Sequence, residues 1–189
     1  MARSADTMAT MPTNETDVQF VLRALSFAAH KHRDQRRKDA NASPYINHPI
    51  ALAGCLAQEG GVAEATVLVS ALLHDTVEDT ETSLVELEEQ FGSRVGGIVM
   101  EVTDDKSLPK EERKRLQVEH AKHISREAKL VKLADKICNL RDVAMTPPAD
   151  WDLARRQEYF DWAKRVVNGL RGVSVPLEAA FDAAFARRP

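Results

Sequence analysis

Apolar residues recur along this chain at the three- and four-residue spacing of amphipathic helices, and no stretch alternates apolar with polar as a half-buried strand does. The pattern predicts a first helix over Asp17 to His32, with Phe20, Leu25, Ala28 and Ala29 among its inward positions. A second starts near Pro49, since proline suits a first turn, and stops at Gly60-Gly61. The third covers Ala63 to Asp79. Ser83 caps a fourth, with Glu86 three residues on completing a capping box and Gly92 ending it. Ser93 to Val102, a charged helix from Pro109 to about His123, Glu127 to Val143, Pro148 to Leu170 and Val175 to Arg187 complete the set. "RDQRRKDANASPYINHP" reads as a loop. The expectation is an all-α bundle of roughly eight to ten helices with no significant sheet. Residues 1–15 read as a flexible tail and 16–189 as one domain.

The third helix poses a chemical problem. Its apolar run Val67-Leu68-Val69 leads into "SALLHDTVEDT". On an unbroken helix, residues four apart share a face, so His74 falls under Glu78 and Asp75 under Asp79. Carboxylates gathered against an apolar stretch need a positive partner. Solvated acids at a helix end are the plain alternative. Two further positions bear on the choice. His48, in "YINHP", is held extended by the following proline at the mouth of a helix, where it is either a ligand or a cap. Asp135, in "KLVKLADKICNL", flanks the core stripe Leu130, Leu133, Ala134, Ile137 and Leu140, with Asn139 one turn on. It is either a ligand or a partner of Lys132 or Lys136. Together His48, His74, Asp75 and Asp135 offer a mixed nitrogen and oxygen set that suits a divalent first-row ion with room for water.

Composition narrows the class without naming it. The 189 residues are 43% hydrophobic and 29% charged, ordinary for a globular protein, and the net charge of −3 argues against nucleic acid as a partner. Charge is instead local: five basic residues from Lys31 to Lys38, seven acidic from Asp75 to Glu89. Cys55 and Cys138 lack metal-ligand spacing and read as reduced thiols, and no run is long enough to span a membrane, so a cytoplasmic protein is expected. The start of the chain lacks the apolar segment of a secretory signal.

The order His48, His74-Asp75, Asp135 resembles the H…HD…D signature of the HD superfamily of metal-dependent phosphohydrolases. The strings "QRRKD", "PYINHPI", "ALLHDTVEDT", "EVTDDKSLPKEERKR" and "KLVKLADKICNLRD" resemble the hydrolase domain of the RelA/SpoT homologue family, most closely its stand-alone small alarmone hydrolases of the metazoan SpoT-homologue type. The resemblance implies an HD-domain bundle holding one Mn²⁺ per chain, where Fe²⁺ or Zn²⁺ could stand instead. It implies removal of the 3′-pyrophosphate from guanosine tetra- or pentaphosphate, leaving GDP or GTP. The same match gives Glu78 and Asp79 to catalysis. It gives Arg37, Lys38, Lys110, Arg155 and Tyr159 to the nucleotide, with Asn139 as a helper. His120 and His123 are left as surface residues, and Trp151, Phe160, Trp162, Val166 and Leu170 as core rather than a base-stacking platform. Since the chain leaves no room for synthetase or regulatory domains, degradation without synthesis is expected. Hydrolysis of the NADPH 2′-phosphate or of a broader range of nucleotides is the rival within the same metal chemistry. A silent nucleotide sensor is the rival outside it, and the paired acids Glu78 and Asp79 speak against it.

Overall fold

The computed structural model describes residues 15–189. The tail expected over 1–15 therefore lies outside the described residues except for Glu15, which is ion-paired with Arg23 at 2.7 Å. The fold is all-α, as the periodicity predicts: among the described residues the only β feature is an isolated bridge between Arg36 and Pro44. The helices are α1 (Asp17–Lys31), α2 (Asn47–Gly54, continued by a π-helical turn Cys55–Glu59), α3 (Ala65–Leu73), α4 (Thr76–Asp79) and α5 (Leu84–Phe91), followed by α6 (Ser93–Val102), α7 (Lys110–His120), α8 (Arg126–Met145), α9 (Leu153–Asn168) and α10 (Val175–Phe185). No described helix is long and apolar enough to cross a membrane.

Two apolar clusters hold the bundle. The larger surrounds α8, whose Leu130, Leu133, Ala134, Ile137 and Leu140 are fully buried against Leu52, Leu56, Phe160, Val166, Leu177 and Phe181. The smaller joins α1, α5 and α6 through Ala24, Ala28, Leu87, Phe91, Val95 and Val99. Helix α3 belongs to both, giving Val67 and Ala71 to the first and Val69, Leu72 and Leu73 to the second. A helix apolar on all sides is a buried helix, and this one sits between the two cores. Its C-terminal end is therefore fixed from both sides.

That end departs from the sequence expectation. The helix predicted over Ala63 to Asp79 stops at Leu73, and His74-Asp75 form a turn before α4 resumes. Asp75 has φ −101° and ψ 0°, off the helical basin, and the Thr76 hydroxyl donates to the Leu73 carbonyl at 2.7 Å, capping the broken turn. Periodicity cannot register such a break, because the apolar spacing continues across it. The capping box expected at α5 also forms only by half. Ser83 accepts the Glu86 N–H, but the Glu86 carboxylate turns away to pair with Lys31 at 2.8 Å. The start expected at Pro148 moves to Leu153, behind an Asp152 cap that accepts the Arg155 N–H at 2.8 Å.

The junction of α5 and α6 gives a clean stability test. Gly92 adopts φ +87° and ψ 155°, a conformation close to glycine-only, with nothing within 4 Å of the place a Cβ would occupy. Gly97, inside α6, has the same open surroundings on a helical backbone. Gly92→Ala is expected to lower unfolding stability by about 1–3 kcal/mol. Gly97→Ala should raise it by about 0.5–1 kcal/mol. Urea unfolding of both variants checks this; equal midpoints would mean that Gly92 carries no backbone constraint.

Candidate metal centre and nucleotide cleft

Three elements bring the expected ligands together. His48 comes from the first turn of α2, His74 from the break after α3, and Asp135 from the middle of α8. One ligand atom from each lies within 4.8 Å of the others, and both imidazoles are buried. His48 Nε2 is 3.2 Å from Asp135 Oδ1, and the two rings stand 5.3 Å apart. Asp75 lies outside that triad but brings its Oδ2 to 2.8 Å from His74 Nε2.

The His74 ring shows why a cation fits. Its Nδ1 bonds the Ala71 carbonyl at 2.8 Å, so that nitrogen carries the proton and Nε2 presents a lone pair. Nε2 is buried without a hydrogen bond, despite the nearby carboxylate. The short contact sets its proximity to Asp75; the missing bond means that the orientation is wrong for one. A lone pair facing a carboxylate 2.8 Å away calls for a proton or a metal ion. Burial opposes charge on this ring, yet Asp75 and Asp135 outweigh it and push His74 up to about 9. Burial likewise opposes ionisation of Asp75 and Asp135. His74 and His48 hold Asp75 well below the usual carboxylate range, and Lys136 and His48 do the same for Asp135. The donor set is thus poised to exchange a proton for a metal ion.

Further groups fix these ligands. Tyr45 donates its hydroxyl to Asp75 Oδ2. Asn139 Nδ2 donates to Asp135 Oδ1 at 2.6 Å, and Lys136 Nζ to Oδ2 at 3.0 Å. The helper role expected of Asn139 therefore meets a bond to a ligand, and the Lys136 pairing weighed as an alternative for Asp135 coexists with the cluster. Tyr45 and Lys136 were missed as site residues, although both lie inside the strings "PYINHPI" and "KLADK" that carry the resemblance.

The two acids that follow are consecutive in α4 and face different spaces. Glu78 faces the same chamber as the ligands, a cavity of about 150 Å³. It accepts the Asp104 N–H at 3.0 Å. Burial raises its pKa; the Asp104 N–H works against this, while Asp75, Asp104 and Asp79 add to it. Asp79 points outward to a cleft of about 650 Å³, bonded to Gln35 Nε2 at 3.1 Å and to Lys106. Arg37, Tyr45, His48 and Asn139 line both spaces, so chamber and cleft adjoin. The cleft has the size of a small-molecule site and is rimmed by Arg36, Arg37, Lys38, Trp151 and Tyr159. Arg37 pairs with Asp142 there.

The remaining expected contacts divide. Arg37, Lys38 and Tyr159 line the cleft, whereas Lys110 and Arg155 are exposed and line neither space. Arg155 lies over the Trp151 ring at 4.7 Å, itself next to Tyr159 at 5.4 Å. Trp151 is half-buried, packing against the larger cluster while also lining the cleft wall, and Phe160, Trp162, Val166 and Leu170 are buried as expected. His120 and His123 are exposed and do not belong to the ligand triad, although His120 lines a cavity beside the chamber.

The His74 geometry makes metal uptake measurable through protons. Since ion-free His74 titrates near 9, it is protonated at neutral pH, and a metal ion must displace that proton. Calorimetry at pH 7 in buffers of different ionisation enthalpy should find roughly one proton released per Mn²⁺ bound, with affinity falling as pH drops. Proton-independent binding would contradict the arrangement.

Comparison with known proteins agrees with this geometry. The family model described as HD domain matches residues 24–161. A human protein named guanosine-3′,5′-bis(diphosphate) 3′-pyrophosphohydrolase MESH1 is 57% identical over 168 residues, covering 89% of this chain and 94% of the relative. The Xenopus tropicalis protein of that name is 56% identical over 170 residues, covering 90% and 95%. A solved structure titled "A metazoan ortholog of SpoT hydrolyzes ppGpp and plays a role in starvation responses" superposes with a TM-score of 0.87 at 49% identity, covering 95% of this chain and 98% of that one. The chain belongs to the HD-domain family of metal-dependent phosphohydrolases, among its MESH1-type members.

Proposed function

We propose that this protein is an enzyme that hydrolyses guanosine 3′,5′-bis(diphosphate) and its pentaphosphate analogue at the 3′-pyrophosphate, with Mn²⁺ held by His48, His74, Asp75 and Asp135. The observation that carries this reading is that a metal-ready chamber adjoins a nucleotide-sized cleft, with Arg37, Tyr45, His48 and Asn139 lining both. The activity for which relatives aligned over nearly their whole length are named supports the guanosine substrate ahead of NADPH. Two imidazoles with two carboxylates suit Mn²⁺ or Fe²⁺ better than a thiolate-seeking ion. Bound there, a divalent ion supplies Lewis-acid stabilisation of phosphoryl charge and acidifies water.

The reaction joins a water oxygen to the phosphorus carried by the ribose 3′-oxygen and breaks the bond between them. GDP or GTP and pyrophosphate result. Glu78 takes the proton from the attacking water, a role matched by its raised pKa and its place in the chamber. That proton balances the one gained by the 3′-oxygen. Arg37 and Lys38 receive phosphate charge at the cleft wall, where a guanidinium can meet two oxygens at once. Tyr159 and Trp151 offer ring surface to the nucleoside. Asp79 orients Lys106 and Gln35 at the mouth. Lys110 and Arg155 act on the parts of the nucleotide that project beyond the cleft.

Product analysis with Mn²⁺ should yield GDP and pyrophosphate from the tetraphosphate, with no turnover after chelation and recovery when Mn²⁺ is restored. Glu78→Gln should keep its Mn²⁺ and bind nucleotide, yet lose on the order of 10²-fold or more in kcat. Asp135→Ala should instead lose the metal itself. A Glu78→Gln enzyme with near-normal kcat would assign proton transfer to another group.

A further inference from the structure

Two cations that line a cavity beside the chamber, Lys132 and Arg113, have no part in the reaction as described. Lys132 of α8 is buried, and its ammonium bonds only the Val102 carbonyl, at 3.1 Å, leaving two of its three N–H donors unused. It lines the metal chamber and also a second cavity of about 170 Å³ between the end of α6, the 103–109 connection and α7. Asp104 and Gln117 line both spaces as well. No residue lines both this cavity and the nucleotide cleft, so the chamber stands between the two.

Arg113 is the other cation. Its Nε is buried with no partner, and its Nη1 is 3.9 Å from Glu78 Oε1. The acids around the cavity are already engaged. Glu101 accepts the Ser125 N–H at 3.0 Å and its hydroxyl, Asp104 accepts Gln117 Nε2 at 2.6 Å, and Asp105 accepts the Ser107 N–H at 2.9 Å. What remains unsatisfied is the guanidinium Nε, the spare ammonium donors, and one acceptor, Gln117 Oε1. A buried donor without an acceptor is costly, and an anion in this cavity would relieve it.

The substrate has a group that needs such a place. Its ribose enters from the cleft and its scissile phosphate meets the metal ligands, so the terminal phosphate of the 3′-pyrophosphate must lie beyond them. The cavity is large enough, equal to about six water volumes. We propose that this second cavity is the subsite for the terminal phosphate, with Lys132 and Arg113 as its cations, and that it sets the preference for a pyrophosphate ester over a phosphate monoester. The proposal rests on the alarmone reading above.

The test compares guanosine tetraphosphate with guanosine 5′-diphosphate 3′-monophosphate, which differ only by that phosphate. For Lys132→Met and Arg113→Gln, kcat/KM should fall roughly ten- to a hundredfold more on the tetraphosphate than on the monophosphate ester, the scale of one charge-assisted hydrogen bond. Equal losses on both substrates would overturn the proposal, because a general structural role moves both together. Melting temperature and Mn²⁺ content identify misfolding; Arg113, being partly exposed, carries the test if the Lys132 variant does not fold. A wild-type chain that leaves the tetraphosphate intact would refute the alarmone reading instead. Pyrophosphate inhibition of monoester turnover then still reads the subsite: weakened inhibition in Arg113→Gln supports it, and unchanged inhibition overturns it.

Discussion

Charge balance in one small chamber governs both the fold around it and the chemistry inside it. Four carboxylates, Asp75, Glu78, Asp104 and Asp135, face three cations, Arg37, Lys132 and Lys136, with two imidazoles between them. With neutral rings the chamber carries one excess negative charge. Without an ion, a proton on His74 makes up the difference, as its rise to about 9 reflects. A divalent ion in place of that proton turns the excess positive, and only then does the chamber attract a polyphosphate. Metal uptake and substrate recruitment are thus two readings of a single electrostatic constraint.

Burying so many ionised groups is tolerable because each acid is tied to a donor and the donors come from different elements. Tyr45 reaches Asp75 from the start of α2, the Asp104 backbone reaches Glu78 from beyond α6, and Lys136 and Asn139 hold Asp135 from its own helix. The break after α3 makes this convergence possible. Both apolar clusters grip α3, so the turn at His74-Asp75 sits at a fixed point between them. It re-aims α4 as a unit, and the consecutive positions of Glu78 and Asp79 on that turn then face the chamber and the cleft.

Much of this is written in the sequence in local terms. The helices follow from apolar spacing, and Ser93–Val102 is placed to the residue because Gly92 and Thr103 interrupt the pattern on either side. The expected ligands His48, His74 and Asp135 follow from residue type and motif order, and the structure brings them into one cluster. What stays illegible is non-local or compensated within the backbone. The turn after Leu73 leaves the spacing undisturbed. The departure of Glu86 to Lys31, the donation of Tyr45 to Asp75 and the joint lining of two cavities by Lys132 each depend on tertiary approach. Trp151 reads as core because a tryptophan gives no sign of which of its faces meets a cleft.

The claim on which the account turns is that His48, His74, Asp75 and Asp135 jointly bind one divalent ion. Anomalous diffraction at the manganese edge from crystals grown with Mn²⁺ tests it directly. The account predicts a single strong peak per chain, in bonding contact with both imidazoles and both carboxylates. A peak elsewhere, or a peak that leaves Asp75 or Asp135 out of contact, would contradict it.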